Sequence, residues 1–323
     1  MNEMPNATMR AVRYDRYGPP EVLKVAHVPM PKPGPGQVLV KVHASSVNPV
    51  EAQVRAGKMR PMSGLRPPKG IGQDFAGEVV AAGPKADDGL VGSRVWGTTF
   101  ALGAANTAEY ITVRESLVAS VPSGLDLVNA AALPTVGLTA LVALDAANVQ
   151  RGQRLLIVGA AGGIGSALIQ IAHAKGVEVA TVSSGDNLAF CSDLGAKETY
   201  DYARLVALER SDTFHAVVDL HGAHLGAYRS RLRPGGRIVT LAAKGMGYAM
   251  LSLLLPGPRV RLARARPKKE LLVELAKLVE TGDLRPVVEN VYPLERIAEA
   301  HRAVESGHSR GKRVIQVVGD VES

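Results

Sequence analysis

The pattern of hydrophobic and polar positions changes near residues 121–122 and divides the chain into two parts. In the first part, short alternating segments are separated by turns rich in Gly and Pro, which predicts an irregular β-rich unit. In the second part, helical periodicity alternates with short apolar runs, which indicates a doubly wound parallel sheet. The first part predicts a hairpin over 11–28, strands over 37–43, 75–82, 94–96 and 108–113, a short helix within 48–57 and a mobile loop over 60–72.

The second part predicts strands and helices in regular succession. The predicted strands cover 155–158, 177–182, 198–200, 216–220, 237–241 and 260–262. An amphipathic helix over 268–281, a strand over 288–293, a helix over 294–306 and a last strand over 313–318 then return to the first unit. We therefore predict one domain from 1–125 and 266–323, and a second domain from 126–265.

Residues 154–174 combine a buried strand, a glycine-rich turn and a helix. Gly162 and Gly163 allow the backbone to approach a pyrophosphate, and the helix then points its free N–H groups at the phosphates. Gly165 allows the helix to pack tightly on the sheet. Since Ala160 replaces the first glycine of the usual G-x-G-x-x-G pattern, an ordinary tight turn stays an alternative. The turn residues expected to contact a dinucleotide are Ala160, Ala161, Gly162, Gly163 and Ile164.

Composition narrows the class of protein. A hydrophobic content of 46% with 21% charged residues is typical of a soluble globular protein. The first ten residues lack the apolar core of a secretory signal, and the most apolar stretch, 125–149, contains charged residues and a proline. Cys191 is the only cysteine, which excludes an intrachain disulfide and predicts a cytoplasmic protein.

The net charge of +8 has two interpretations. Basic residues cluster over 229–237 and again over 259–269, as in a surface that binds nucleic acid. No aromatic residues interleave with them for base stacking, so a solvated surface and a charged edge strand are favoured. We expect neither a nucleic acid nor a membrane partner.

Several separated motifs, in order along nearly the whole chain, resemble one known family. They are NPVE (48–51), GQDFAG (72–77), GSRVWG (92–97), AEY (108–110), AALP (131–134), GLTA (137–140), the glycine turn within 152–170, YPL (292–294) and GKRV (311–314). The chain resembles the medium-chain dehydrogenase/reductases, and within them the zinc-free quinone oxidoreductase, or zeta-crystallin-like, branch. The resemblance implies an α/β fold with a GroES-like β-rich catalytic domain, a Rossmann cofactor domain and an active site in the cleft between them.

The resemblance also implies a reaction and an assembly. The implied reaction is hydride transfer from NAD(P)H to quinones or to the electron-poor C=C of α,β-unsaturated carbonyl compounds, by a homodimer. An enoyl reductase of a biosynthetic pathway, or a non-catalytic crystallin-like protein that binds NADPH or nucleic acid, is an alternative. The apolar segment 245–258 is consistent with a hydrophobic acceptor, and equally with a buried helix or a dimer contact.

Zinc is not expected. Asn48 and Gln73 stand where zinc-dependent relatives carry Cys and His ligands, and neither amide is a good zinc ligand. His221 and His224 are three residues apart but lack a third ligand.

The resemblance also gives three residues an expected place in the reaction. Asn48 is expected to contact substrate or the nicotinamide ribose, although an Asn before Pro49 is also common in turns. Thr139 is expected to bond the nicotinamide carboxamide. Gln53 stands where relatives often have a Tyr that flanks a quinone, which makes simple quinones doubtful substrates.

The end of the second predicted strand indicates the choice of cofactor. Ser183 and Ser184 replace the acidic residue that NAD-preferring sites use to hold the ribose 2′-hydroxyl. Tyr202 matches a Tyr of the NADPH-dependent members, and Arg204 could offset the charge of Asp186. We therefore predict NADPH rather than NADH. The remaining residue expected near the cofactor is His221.

Overall fold

The computed structural model describes residues 7–63, 67, 69–207, 213–307 and 309–318. Its contacts divide the chain into two compact units. Unit 1 comprises Met1–Thr135, Pro267–Glu280 and Pro286–Ser323, and unit 2 comprises Val136–Arg266 and Thr281–Arg285.

Strands are numbered in chain order. They are β1 Thr8–Tyr14, β2 Lys24–Pro29, β3 Gln37–Ser46, β4 Lys69–Gly70, β5 Asp74–Ala82, β6 Arg94–Thr98, β7 Tyr110–Arg114, β8 Val118–Ser120, β9 Arg154–Val158, β10 Glu178–Ser183, β11 Glu198–Asp201, β12 Phe214–Asp219, β13 Leu232–Thr240, β14 Val260–Leu262, β15 Val288–Pro293 and β16 Lys312–Gln316.

Helices are numbered in the same way. The α-helices are α1 Pro49–Arg55, α2 Arg60–Ser63, α3 Leu127–Ala130, α4 Pro134–Ala147, α5 Gly163–Ala174, α6 Leu188–Asp193, α7 Leu225–Arg229, α8 Met246–Leu251, α9 Lys269–Glu280 and α10 Ile297–Glu305. Short 3₁₀ helices cover Pro20–Val22, Asp88–Leu90, Glu115–Leu117, Gly185–Asn187, Tyr202–Ala207, Ala243–Gly245 and Leu294–Arg296.

Unit 1 is built on β3, whose Val38, Val40 and Val42 alternate along the strand and are completely buried. β3 pairs antiparallel with β5, β7 and β16 in a seven-stranded sheet of order β15-β16-β3-β5-β6-β8, with β7 also on β3. A second sheet has the order β2-β1-β4. Because β16 pairs with the end of β3, the C-terminal strand lies beside the segment that leads into α1.

Unit 2 contains a six-stranded parallel sheet of order β11-β10-β9-β12-β13-β14. In the chain order of its own strands this is 3-2-1-4-5-6, the order of dinucleotide-binding Rossmann folds. Central strand β9 is apolar throughout its buried part, since Leu155, Leu156 and Ile157 have no exposed surface. The two predicted domain types, a GroES-like β-rich fold and a Rossmann fold, are confirmed.

The structure differs from the predictions mainly in short elements. Part of the predicted mobile loop over 60–72 is ordered as α2 and as β4, which pairs with β1, while residues 64–66 and 68 lie outside the described residues. β4 and β8 were not predicted, because they stand outside the regular strand–helix succession that indicated the similarly short β14, and they depend on pairing with distant strands. Within the described ranges, no helix has the length and apolar character that a membrane span requires.

Candidate active site

The glycine turn of unit 2 lies at the carboxyl end of β9, where the neighbouring strands β10 and β12 also end. In the register, Val158 lies beside Val182 of β10 and Asp219 of β12. The turn is anchored to β10, since the backbone N–H groups of Gly159 and Ala160 both donate to the carbonyl of Val182, at 2.9 and 3.2 Å. Ligands of open α/β sheets bind at this edge, where the strand order reverses.

The two glycines that flank the start of α5 have different surroundings. Gly162 is the N-cap of α5, without a side-chain cap, and a Cβ added there would meet nothing closer than Gly159 O at 4.0 Å. The space above Gly162 is therefore an open cradle beside uncapped N–H groups, which fits a pyrophosphate. At Gly165, a Cβ would lie 2.3 Å from the carbonyl oxygen of Ala160, so this glycine permits the helix to pack against the turn itself.

The remaining turn residues support the cradle in different ways. Ala160 and Ala161 are buried, whereas Gly163 and Ile164 are partly exposed at the start of α5. Of the residues predicted to contact a dinucleotide, Gly162, Gly163 and Ile164 are thus partly exposed, while Ala160 and Ala161 are buried.

Asp219, at the end of β12, organises a second loop at the same edge of the sheet. Its buried carboxylate accepts hydrogen bonds from the backbone N–H groups of His221 and Gly222, at 3.2 and 2.9 Å, and from the hydroxyl of Thr240 at 2.7 Å. These bonds satisfy the buried charge and place the exposed His221 in this loop. Sequence reasoning missed Asp219, because an Asp at a strand end gives no local sign of its partners.

The end of β10 carries the hydroxyls predicted to select the cofactor. Ser183 is buried and donates to the carbonyl of Ser184, whose own hydroxyl accepts from Asn187 Nδ2 at 2.9 Å. Tyr202 and Arg204 lie in the 3₁₀ helix that follows β11 and are exposed. Because β11 is the parallel neighbour of β10, both residues follow the carboxyl end of a strand beside the end of β10.

The three residues given catalytic roles fall on two helices. Thr139 is buried in α4, and its position belongs to unit 2. Asn48 and Gln53 belong to unit 1, where Asn48 is the buried N-cap of α1 and Gln53 is exposed on the same helix.

Both polar atoms of the Asn48 side-chain amide bond neighbouring ionisable side chains. Its Nδ2 donates to Glu51 Oε1 at 3.0 Å and to Asp74 Oδ2 at 2.9 Å, while its Oδ1 accepts from Lys312 Nζ at 2.7 Å. Both amide hydrogens are therefore taken, and a substrate donor could reach Asn48 only at the second lone pair of Oδ1. Its predicted role in the reaction stays a prediction.

Asp74 is the most heavily bonded member of this cluster. Its carboxylate accepts from the Ser46 hydroxyl at 2.6 Å, from the Thr135 backbone N–H at 2.8 Å and from Asn48, and it lies 3.5 Å from Lys312 Nζ. Lys312 is itself buried and also donates to the carbonyl of Val47 at 3.0 Å. The charged groups that surround Asn48 were not recognised from the sequence, because each lies on a different element.

Glu51 is the third ionisable member of the cluster. Its Oε1 accepts from Asn48 Nδ2 and from the backbone N–H of Gln73, both at 3.0 Å. Burial raises the pKa of Glu51 from 4.5 to about 7, and neighbouring Asp74 adds to this, whereas the hydrogen bonds from Asn48 and the charge of Lys312 oppose it.

The raised pKa of Glu51 predicts a pH dependence of stability. The folded protein binds this proton more tightly than the unfolded chain, so Glu51 stabilises the fold at low pH, and this contribution is lost as the pH rises from 4.5 to about 7. In that window we expect the unfolding free energy of the wild type to fall relative to Glu51→Gln by about 1.4 kcal/mol per pH unit. Denaturant unfolding at several pH values measures this difference. Glu78→Gln, which replaces a partly exposed carboxylate of β5, is the control, and a pH profile of Glu51→Gln parallel to the wild type would contradict the expectation.

Asn48 and Gln73 stand at the positions of the zinc ligands of related dehydrogenases, and their amides do not form a set of zinc ligands. The carbonyl oxygen of Asn48 already accepts from the Lys312 ammonium, and a metal ion beside it would meet that positive charge. Gln73 supplies an amide, which zinc rarely uses. Among the described residues, no group of three or more His, Cys, Asp or Glu side chains is arranged to hold a metal ion. The residues present therefore do not fit zinc.

Comparisons with known proteins agree with this geometry. Family models match residues 34–123 as an alcohol dehydrogenase GroES-like domain and residues 194–315 as a zinc-binding dehydrogenase domain. The chain is 32% identical to the quinone oxidoreductase of the pig, Sus scrofa, over 94% of this chain and 95% of that protein. It is also 32% identical to 2-methylene-furan-3-one reductase of tomato, Solanum lycopersicum, over 96% of this chain and 79% of that protein.

A solved structure is similar over the whole length. The structure of the quinone oxidoreductase from Coxiella burnetii superposes with a TM-score of 0.91 at 34% identity, covering 97% of this chain and 100% of that one. The chain therefore belongs to the medium-chain dehydrogenase/reductase superfamily. Within that superfamily it belongs to the quinone oxidoreductase branch, and it is an oxidoreductase that uses a nicotinamide cofactor.

Proposed function

We propose that the protein is a zinc-independent, NADPH-dependent reductase of quinones or α,β-unsaturated carbonyl compounds. The observation that carries the proposal is the open cradle above Gly162, at the switch point of a sheet whose strand order is that of dinucleotide-binding folds. The names of the pig and tomato relatives support the two acceptor classes. The bound nicotinamide supplies a hydride, and the acceptor must be polarised and protonated by the protein or by water.

The protein's own residues divide this work. We propose that Ala160 to Ile164 and the N-terminus of α5 bind the pyrophosphate, that Thr139 orients the nicotinamide, and that His221 lines the loop beside it. Asn48 holds Glu51, Asp74 and Lys312 in place through the three hydrogen bonds of its amide. Zinc independence follows from the ammonium of Lys312, which occupies the neighbourhood in which a zinc site would need a ligand.

The remaining assignments extend this proposal. The β-rich domain, residues 1–125 and 266–323, carries the acceptor, and residues 126–265 carry the cofactor. The single Cys191 supports a reducing cytoplasmic location. The basic clusters serve solubility and protect an edge strand, so nucleic acid is not proposed as a partner.

Oxidation of NADPH in the presence of a small panel of acceptors tests the function. The panel holds 1,4-benzoquinone, 9,10-phenanthrenequinone, an alkenal, a cyclic enone and an enoyl thioester, each repeated with NADH. Turnover of a quinone, the alkenal or the enone supports the proposal. Turnover of the thioester alone would replace it with an enoyl reductase, and tight NADPH binding without any turnover would replace it with a binding protein.

The preference for NADPH depends on Arg204. We expect Arg204→Ala to raise KM for NADPH about tenfold and to leave KM for NADH unchanged, because a charged hydrogen bond to the 2′-phosphate is lost. Steady-state kinetics with both cofactors measure this. Arg259→Ala removes an equal charge just before β14, at the amino edge of the same sheet, and should change neither constant. A wild type that prefers NADH, or equal effects of the two variants, would contradict the assignment.

We also propose that the chain forms a homodimer through β14 and the apolar segment around α8. β14 is an edge strand of the sheet, and Leu253 and Leu254 near it are 57% and 85% exposed. We expect Leu254→Asp to convert dimers to monomers at micromolar concentration, as measured by light scattering. Val91→Asp, at an exposed valine of unit 1, is the control and should remain dimeric. A monomeric wild type would rule out the assembly.

A further inference from the structure

The buried cluster of unit 1 contains one carboxyl oxygen without a partner. Glu51 Oε1 accepts two hydrogen bonds, from Asn48 Nδ2 and the Gln73 backbone. Within the described part of the chain, Oε2 of the same carboxyl group makes none. Asp74 differs, because both of its oxygens accept hydrogen bonds.

The balance of charges in the cluster indicates that the carboxyl group of Glu51 is protonated. Two carboxyl groups, Glu51 from α1 and Asp74 from β5, are buried with a single ammonium, Lys312 from β16. Two buried anions beside one cation leave an uncompensated charge, which is costly unless one carboxyl group is protonated. Lys312 lies 3.5 Å from the Asp74 carboxylate and bonds Asn48, and among the described residues it forms no ion pair with Glu51, which favours Glu51 as the carboxyl group that holds the proton.

Glu51 also lines a small enclosed cavity in unit 1. The cavity has room for about one water molecule. Its wall contains no other titratable side chain, and its lining residues are Glu51, Val54, Gly70, Ile71, Gly72, Gln73, Ala101, Leu102 and Ala104. Glu51 is therefore the one ionisable side chain that the described residues place on this cavity, and a water there would be the first acceptor of its proton.

We propose that Glu51 is the proton donor of carbonyl-conjugated alkene reduction, an assignment that rests on the proposed function. Hydride addition at the β-carbon forms a C–H bond, and the C=C electron pair moves to give an enolate. Glu51 releases its Oε2 proton through the cavity water, a C–H bond forms at the α-carbon, and the carboxylate left behind regains a proton from solvent. The cofactor is oxidised by two electrons, the alkene is reduced by two, and one proton is consumed.

A proton held at Glu51 can be observed in the unliganded protein. Infrared difference spectra over a pH titration should show the carbonyl stretch of a protonated carboxylic acid that disappears with a midpoint near pH 7 and is missing in Glu51→Gln. Glu78→Gln should retain it. The measurement needs no cofactor or activity. Absence of the band from the wild type at about pH 6 would overturn the proposal, since the pKa of an ordinary Glu lies near 4.3.

Reduction of an α-substituted enone in D₂O then tests delivery of the proton. The wild type should place deuterium on one face of the α-carbon, whereas Glu51→Gln should react about a hundredfold more slowly and give both stereoisomers. The loss of rate in Glu51→Gln should be at least about tenfold smaller on 9,10-phenanthrenequinone than on the enone, because hydroquinone oxygens take protons directly from water. Thermal unfolding of this variant provides a fold check. If Glu51→Gln does not fold, Glu51→Asp replaces it, because its shorter side chain withdraws the carboxyl group from the cavity. This variant should show the same loss of rate and stereochemical purity.

The outcomes separate the two proposals. A wild type that reduces none of the acceptors overturns the proposed function, whatever the infrared result at Glu51. A wild type that reduces the enone while Glu51→Gln matches it in rate and stereochemistry overturns only the role of Glu51. Equal losses on the enone and on the quinone would indicate a merely structural role and would also overturn the assignment.

Discussion

Replacing Gly165 with alanine is expected to destabilise the protein by about 3 kcal/mol and to abolish measurable binding of NADPH. The added Cβ would lie 2.3 Å from Ala160 O and 2.6 Å from Ala160 Cα, both backbone atoms that no side-chain rotation can move away. Either the turn or the start of α5 must shift, and the cradle above Gly162 is then distorted. Thermal unfolding and calorimetric titration with NADPH measure the two effects.

Gly162→Ala is the matched control, because the same methyl group is added three residues earlier. Its Cβ would meet no protein atom within 4.0 Å, and its φ of −72° suits alanine. We expect the unfolding free energy to remain within about 0.5 kcal/mol of the wild type. NADPH affinity should still fall by about tenfold or more, because the methyl group occupies the space proposed for the pyrophosphate. Unchanged affinity in Gly162→Ala would contradict the placement of the cofactor at this turn.

Replacing Lys312 with methionine is expected to cost about 3–5 kcal/mol of unfolding free energy. Lys312 is buried, and its ammonium is the only cation that bonds Asn48 and Asp74 in the described part of the cluster. Methionine fills much of the same volume, so the loss comes from a buried carboxylate left without its counter-charge rather than from a cavity. Urea unfolding at neutral pH measures the loss.

Two further variants separate charge from packing at Lys312. Lys197→Met removes a lysine whose side chain is 63% exposed and paired with Glu178, and it should change stability by less than about 1 kcal/mol. Combining Lys312→Met with Asp74→Asn removes both charges and should recover part of the loss. If the double variant is less stable than Lys312→Met, the charge argument fails.

The glycine turn and the alternating strand β3 were predicted from the sequence because each has a local cause. The glycine turn can be recognised from residues 154–174 alone, because an apolar run, glycines and helical spacing follow one another there. Strand β3 can be recognised from the alternation of apolar and polar residues, which has the period of two of a half-buried strand. The short strands β4 and β8 of unit 1 were missed because their pairing with distant strands creates them, whereas β14 was indicated by the regular alternation of strands and helices.

Much of the candidate site could not be predicted in this way. Asn48 was expected near the reaction from the sequence, but Glu51 appears there only as part of a helix start and Lys312 as one basic residue among many. Only the pairing of β16 with β3 brings Lys312, 238 positions away from Asp74 in the chain, to within 3.5 Å of its carboxylate. The sequence by itself therefore determined the class of fold and the location of the glycine turn, since local periodicity and turn chemistry suffice for both. The partners of Glu51 and its raised pKa depend on the tertiary structure alone, because burial and the charges of distant strands set them.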